Sequence, residues 1–197
     1  MKQMEISLLG SSTIVINGGT ISVFGSKIDA KESPAFKLCG YDSSSLTLRS
    51  GVISSESDLG AIISDFGCIN ILGGEVRSTR AAAIDCSSKL SLSGTPLIKG
   101  ACADIITRKA VNMSFEDLPY EATENLTVKF DKDFVKGSYT DVLINADNRL
   151  KENVTVLSST GKEYSLTFFE KSIYSENGRA LAVYLPFSVK MYDKGIL

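Results

Sequence analysis

The amino-acid sequence predicts an all-β protein built as a right-handed parallel β-helix, and three observations support this prediction. Ile71, Leu92 and Met113 lie 21 residues apart, and Leu48 lies 23 residues before Ile71. Polar residues alternate with the apolar ones, which is the period of a strand with one buried face. Small residues follow each apolar group, where the chain must turn sharply. A period this short is typical of a solenoid, in which each repeat forms one coil.

Four stretches of sequence carry the repeat: TIVINGGTISV (13–23), SLTLRSGVISS (45–55), CINILGGEVRS (68–78) and KLSLSGTPLIK (89–99). This alignment places Ile16 in one column with Leu48. It therefore requires an insertion of about ten residues after the first repeat, roughly Lys27–Pro34, which we interpret as a charged, solvated loop. Binding or capping is the alternative role for this loop.

The same alignment predicts three further inward columns and one outward row. The inward columns are Ile14, Leu46, Ile69, Leu90 and Val111; Ile21, Ile53, Val76, Leu97 and Leu118; and Leu8, Ile63, Ile84 and Ile105, where Gly40 interrupts the second coil and Leu38 or Phe36 must substitute. The outward row is Val15, Thr47, Asn70, Ser91 and Asn112. We expect the stacked aliphatic side chains to form one continuous core, with about five coils of three strands each.

The repeat predicts two segments, a parallel β-helix over residues 5–118 and a β-rich segment over residues 119–197. The second segment forms either irregular coils or a cap over the open end of the stack. Its predicted strands are 126–130, 140–146, 153–159 and 187–192. Residues 163–186 are predicted to form a β-hairpin with its turn at Glu176-Asn177-Gly178.

Composition excludes several classes of function. The net charge is −2, and no basic run or stacking motif points to nucleic acid. No stretch of 18 apolar residues points to membrane insertion. The start, MKQMEISLLG, is too short and polar for a signal peptide. We therefore expect a piece of a longer exported chain, and a cytoplasmic protein is the alternative.

The residues that carry common catalytic chemistry are missing or scattered. The chain has no His, which excludes Ser-His-Asp and Cys-His arrangements. The four Cys residues form no CxxC pair, so we expect free thiols and no metal site. Asp65, Asp85 and Asp104 occupy different offsets from their anchors, which favours solvated surface acids over a catalytic cluster. The prediction is a protein that is not an enzyme and carries no cofactor.

One outward patch is the candidate binding site. If Val76 points inward, Glu75 and Arg77 point outward, and Arg80 follows at the corner. Arg49 and Lys99 lie on the neighbouring coils. These side chains could contact an acidic sugar or a partner protein, or they could serve only solubility. The candidate ligand-binding residues are Arg49, Glu75, Arg77, Arg80 and Lys99.

The stretches INGGTISVFG, INILGGEVRS and AIDCSSKLSLSGTPLIKG resemble the repeats of bacterial cell-surface β-helix proteins of the pectate-lyase-like, adhesin and carbohydrate-binding-like type. The resemblance covers residues 5–118 and implies an extracellular module of a larger chain. It carries no catalytic residue over to this sequence. The function we expect from it is a non-enzymatic stalk or a binding surface for glycan or host protein. A polysaccharide lyase or glycoside hydrolase of the same fold, and a trimeric phage tail-spike-like fragment, are the alternatives.

Overall fold

The computed structural model describes residues 4–114, 125–132, 140–144, 153–169 and 188–192. Every regular element in these ranges is a β-strand, which confirms the predicted all-β class. A search of the same ranges for a helix long and apolar enough to cross a membrane finds none.

The strands belong to three stacked faces, and each of the first five coils contributes one strand to each face. Sheet A contains β1 (Glu5–Leu8), β4 (Ser26–Ala30), β7 (Gly51–Ser55), β10 (Glu75–Ser78) and β13 (Leu97–Lys99). Sheet B contains β2 (Ile14–Ile16), β5 (Phe36–Leu38), β8 (Ile62–Ser64), β11 (Ile84–Cys86), β14 (Ile105–Thr107), β16 (Leu126–Phe130) and β18 (Val154–Leu157). Sheet C contains β3 (Thr20–Val23), β6 (Ser45–Leu48), β9 (Cys68–Ile71), β12 (Lys89–Ser93), β15 (Val111–Ser114) and β17 (Thr140–Ile144). All neighbours within these three faces pair in parallel, so the fold is a β-solenoid of about five coils.

Two further strands, β19 (Glu163–Phe169) and β20 (Ser188–Tyr192), join sheets B and C. β19 pairs antiparallel with β18, β20 pairs antiparallel with β19, and β20 also pairs antiparallel with β17. The first arm of the hairpin predicted over residues 163–186 therefore contains a strand, β19, and its described partners are β18 and β20. The predicted turn at Glu176-Asn177-Gly178 and the arm up to residue 186 lie outside the described residues.

The inward columns form one continuous core. In sheet A, Ile28, Ile53, Val76 and Ile98 are in register and at most 4% exposed. In sheet C, the columns Leu46–Ile69–Leu90 and Leu48–Ile71–Leu92 are at most 2% exposed. Each buried aliphatic side chain contributes about 1.5–3 kcal/mol. The predicted columns around Leu48, Ile71 and Leu92 are therefore confirmed.

The predicted alignment of the first coil is wrong. Leu48 pairs with Val23, whereas Ile16 pairs with Leu38 in a different sheet. The supposed insertion after the first repeat is in fact part of a regular coil, because Ser26–Ala30 is strand β4. Lys27 and Asp29 alternate with the buried Ile28 and Ala30, so their charges mark an outward strand face and not a loop.

At two further positions in the inward columns, the sequence prediction names the residue next to the one that points inward. Ile62, and not Ile63, is in register with Ile84 on the inner side of sheet B. Likewise, Ile98 fills the inward column of sheet A, while Leu97 is 36% exposed. Both errors occur at a pair of adjacent aliphatic residues, where the period-2 pattern cannot distinguish the inward residue from the outward one.

In the first two coils, other predicted column positions also differ from the structure. Leu8 belongs to sheet A, opposite Ala30, and Val15 lies on the outside of sheet B. The second coil supplies Phe36 to the column that contains Ile62. Leu118 lies outside the described residues.

The glycine at the corner between sheets C and A meets a steric requirement. Gly51 has a φ of 105°, and a Cβ built on it would lie 2.1 Å from the carbonyl oxygen of Ser26 in the coil below. Only glycine allows this backbone conformation and this approach at once. The prediction that small residues form the corners is confirmed here.

Candidate functional site

The outer face of sheet A carries the densest group of charged side chains that the strands bring into register. One row across the coils consists of Glu5, Lys27, Val52, Glu75 and Leu97. The next row consists of Ser7, Asp29, Ser54, Arg77 and Lys99. Successive members of a row are about 4.8 Å apart, so their side chains interact across coils.

A groove with a volume of about 360 Å³ lies on this face. Its floor is β7, whose outward side chains Val52 and Ser54 are short. The neighbouring strands β4 and β10 contribute the longer Lys27, Asp29 and Arg77. The groove therefore exists because the short side chains of β7 lie between the longer side chains of β4 and β10. At one end it is lined by residues that follow the strands, namely Lys31, Glu56 and Thr79.

Opposite charges pair along the groove. The Lys27 Nζ lies 2.9 Å from the Glu5 Oε1 and 2.6 Å from the Asp29 Oδ2. Lys31 pairs with Glu56 in the adjacent coil, and Arg77 pairs with Glu75 two residues away. The Ser54 hydroxyl donates a hydrogen bond to the carboxylate of Asp29. These contacts fix the charged side chains in the walls.

The pairing shifts the pKa values of two of these groups. Hydrogen bonds to Asp29 and Glu5 raise the pKa of Lys27 above its ordinary value. Burial acts to raise the pKa of Asp29, but hydrogen bonds from Lys27 and Ser54 outweigh it, and the net shift is downward. Both groups are therefore fully ionised at neutral pH.

Three of the five candidate residues from the sequence lie together. Glu75 and Arg77 are on β10, and Lys99 is the register partner of Arg77 on β13. Arg80 lies in the corner after β10, where its guanidinium is 3.9 Å from the carboxylate of Asp58. Arg49 lies in the corner between β6 and β7, and its backbone N–H donates to the Val23 carbonyl. Of the five candidates, Arg77 lines the groove, whereas Glu75 and Lys99 lie beside it and Arg49 and Arg80 lie in corners outside it.

The sequence prediction missed Lys27, Asp29 and Lys31, which form one wall of the groove and its end. They were assigned to an inserted loop because the segment is charged and precedes a proline. A usable signal was present in the strict alternation of SKIDA, where Ile28 and Ala30 supply the inward positions.

The outer face of sheet C differs in character. One row runs through Ser22, Thr47, Asn70, Ser91 and Asn112. The adjacent row runs through Thr20, Ser45, Cys68 and Lys89. Lys89 is thus the one ionic residue in these two rows. Ser22 takes the place that was predicted for Val15, so the first row is polar from β3 to β15.

Sheet B carries a third kind of outer face. Asp85 lies in register between Ile63 and Ile106 on the neighbouring strands. Burial raises the pKa of Asp85, the Arg108 charge opposes this shift, and the Asp65 and Asp131 charges add to it. Arg108 forms an ion pair with Asp131. Asp65 and Asp85 are therefore electrostatic neighbours, although they occupy different offsets in the repeat.

The prediction that Asp104 is a solvated surface acid is wrong. Its residue is only 5% exposed, so it is not a solvated surface acid. Its carboxylate accepts hydrogen bonds from the backbone N–H groups of Gly100, at 3.0 Å, and Thr127, at 2.7 Å. Asp104 thus ties the fifth coil to the strand that follows it and has a structural role.

The four cysteines are free thiols, as predicted. Burial raises the pKa of the Cys86 thiol, which lies within 3.6 Å of the Ser88 hydroxyl. Within the ranges that the structure describes, His, Cys, Asp and Glu form no group of three or more that could hold a metal ion.

Comparison with protein families, with curated proteins and with solved structures found no match to this chain. The resemblance to surface β-helix repeats therefore has support only at the level of the fold. The chain is a parallel β-solenoid of about five coils, and the charged groove on sheet A is its candidate binding site.

Proposed function

We propose that this chain is a non-enzymatic, glycan-binding module of a bacterial surface or secreted protein. The groove on sheet A is the single observation that carries the proposal. Its volume of about 360 Å³ is within the range of small-molecule sites, which is about 300–1,000 Å³. Its walls offer ammonium, guanidinium and carboxylate groups, and such groups bind sugar hydroxyls as donors and acceptors.

The ionisation of the groove favours binding over catalysis. A general acid in a glycosidase needs a raised pKa so that it keeps its proton near neutral pH. The lowered pKa of Asp29 works against that role, because its carboxylate is already held by Lys27 and Ser54. The same carboxylate retains lone pairs that can accept hydrogen bonds from a hydroxyl group.

A panel of immobilised neutral, acidic and amino polysaccharides tests the proposal. We expect binding to at least one class, with neither new reducing ends nor unsaturated products on long incubation. Binding that is accompanied by such products would show that the protein is an enzyme and would contradict a non-enzymatic module. An absence of binding across the panel would overturn the glycan assignment.

Two arginine variants locate the binding surface. Arg77→Gln removes a groove cation, whereas the matched control Arg49→Gln alters an exposed arginine in the corner before β7, outside the groove lining. A hydrogen bond to a charged group contributes roughly 1.5–3 kcal/mol, so Arg77→Gln is expected to weaken binding about tenfold or more. Equal affinities for the two variants would move the site away from sheet A.

The Asp85 environment favours an enzyme as the second candidate function. A carboxyl group whose pKa is raised by burial, beside the Arg108 guanidinium, has the character of a general acid in a polysaccharide lyase or hydrolase. The product assays above decide this alternative. If products appear, Asp85→Asn is expected to abolish them while Asp42→Asn, at an exposed corner, does not.

A trimeric tail-spike-like fragment and a stalk that binds host protein are tested by different measurements. Light scattering after size exclusion decides the first, because a tail-spike requires a trimer. Protease shaving of intact source cells checks surface exposure, since an exported module is cleaved and a cytoplasmic one is protected.

A further inference from the structure

The direction of the groove on sheet A follows from the side chains that form it. Val52, Ser54 and Glu56 follow one another along β7 and just beyond it. The long side chains of β4 and β10 form walls on either side. The groove therefore runs along β7, across the axis of the solenoid. At about 3.3 Å per residue, a five-residue strand spans roughly 16 Å. That shape accommodates a short linear segment of a chain polymer.

The charge balance of the groove restricts its ligand. Lys27, Lys31 and Arg77 are the cations that line it, and each has a carboxylate partner in an ion pair. An anionic ligand would have to displace one of these carboxylates or lie next to it. Placing like charges together at an interface is costly. Binding of a uronate or sulfated sugar is therefore opposed by Asp29 and Glu56, which line the groove, and by Glu75, the ion-pair partner of Arg77.

An uncharged ligand avoids this cost. A lysine ammonium has three donors and a carboxylate has about four acceptor sites, so the ion pairs leave hydrogen-bonding capacity at both partners. The floor adds the apolar surface of Val52 beside the Ser54 hydroxyl. A pyranose ring presents C–H groups on its faces and hydroxyls at its rim, which matches an apolar floor between polar walls.

We infer that the groove on sheet A binds an uncharged, hydroxyl-rich glycan chain lying parallel to β7. This inference rests on the proposed glycan-binding function and specifies its ligand class. It differs from the sequence expectation of an acidic sugar, because Lys27, Lys31 and Arg77 each have a carboxylate partner.

Titration calorimetry with matched neutral and uronic-acid oligosaccharides, at low and high salt, tests the inference. We expect the neutral oligosaccharides to bind at least about tenfold more tightly, with little dependence on salt because no net charge is neutralised. Tighter, salt-sensitive binding of the uronates would overturn the ligand class and leave the glycan-binding function intact. If neither class binds, the proposed function itself fails.

Filling the groove provides an independent test. Ser54→Tyr places a bulky side chain on the floor, and Ser22→Tyr places the same side chain on the outer face of sheet C. The first variant is expected to lose binding at least about tenfold, and the second to retain it. Unchanged binding by a folded Ser54→Tyr would exclude the groove.

A third variant keeps the test decisive if Ser54→Tyr does not fold. Glu56→Gln removes the partner of Lys31 at an exposed position, where little stability is at stake. Uronate affinity should then increase several-fold in a salt-sensitive manner, whereas Glu32→Gln, outside the groove on the same corner, should leave it unchanged. Equal uronate affinity in both variants would show that charge balance does not select the ligand.

Discussion

The outer faces of sheets A and C lie on the same coils yet present different chemistry. Sheet A carries rows of paired charges around a groove, while sheet C carries two rows of short, mostly uncharged polar side chains. Their inner faces both contain columns of buried aliphatic residues, although sheet A also places Ser55 and Ser78 inward. The inward positions therefore specify the solenoid, and the outward positions are free to specify a ligand.

The difference arises from the lengths of the outward side chains. On sheet A, Lys27 and Arg77 rise from the strands on either side of β7, whose outward Val52 and Ser54 are short, and this leaves space between them. On sheet C, the row of Ser22, Thr47 and Asn70 varies little in length. A flat row offers hydrogen bonds without enclosing a ligand, whereas a groove does both.

The largest expected effect on the free energy of unfolding comes from the buried aliphatic core that sheets A and C share. Ile53→Ala in sheet A and Ile69→Ala in sheet C each remove a fully buried side chain, and each should lower the free energy of unfolding by about 2–5 kcal/mol. Denaturant titration measures this. The outward controls Val52→Ala and Thr47→Ala should change it by less than about 1 kcal/mol. A large difference between the two isoleucine variants would contradict an equivalent core.

The next largest effect concerns the corner that leads from sheet C to sheet A. Gly51→Ala should destabilise the protein by about 1–3 kcal/mol or more, because it combines an unfavourable φ with a backbone clash. Gly19→Ala is the matched control, since its φ is also positive but no atom lies within 4 Å of the built Cβ. Thermal unfolding should show the smaller loss for Gly19→Ala, and equal losses would argue against the clash.

A smaller effect is expected on the outer face of sheet B, where the charged Asp85 lies between the aliphatic Ile63 and Ile106. Burial raises the folded-state pKa of Asp85 above its ordinary value of 3.8, so the ionised form opposes folding. Asp85→Asn should therefore increase stability at neutral pH, by less than about 1 kcal/mol because the group is only half-buried. This gain should vanish as the pH falls below 3.8. A gain that persists in acid would point to a cause other than the carboxylate charge.

The smallest expected effect is on the ion pairs of sheet A, which the mostly uncharged rows of sheet C lack. The lowered pKa of Asp29 contributes stability above pH 3.8, which is lost as the pH falls through the folded-state pKa. Lys27→Met removes the main hydrogen-bond donor and should move the Asp29 pKa upward in an NMR titration. Lys37→Met, on the outer face of sheet B, should leave it unchanged. An unmoved Asp29 pKa in Lys27→Met would indicate that Ser54 alone holds the carboxylate.

The accuracy of the sequence prediction varied with the local pattern. The columns through Leu48, Ile71 and Leu92 were correct, because polar residues separate the apolar ones and leave a single possible face. The predictions at Ile63 and Leu97 were wrong, since each has an aliphatic neighbour that competes for the inward position. For the candidate groove, the sequence named Arg77 but not Lys27 or Asp29, and the predicted Glu75 and Lys99 lie beside its lining.

The sequence by itself determined that the chain is a β-solenoid, because a repeat of inward aliphatic residues buries its surface only when coils stack. Only the tertiary structure decided which strands are neighbours in the first coils, since several alignments bury a similar amount of apolar surface. Tertiary structure also decided the partners of the charged groups. Asp104 became a buried acceptor and Lys27 became a wall of the groove because residues more than 20 positions away in the sequence lie in the adjacent coil.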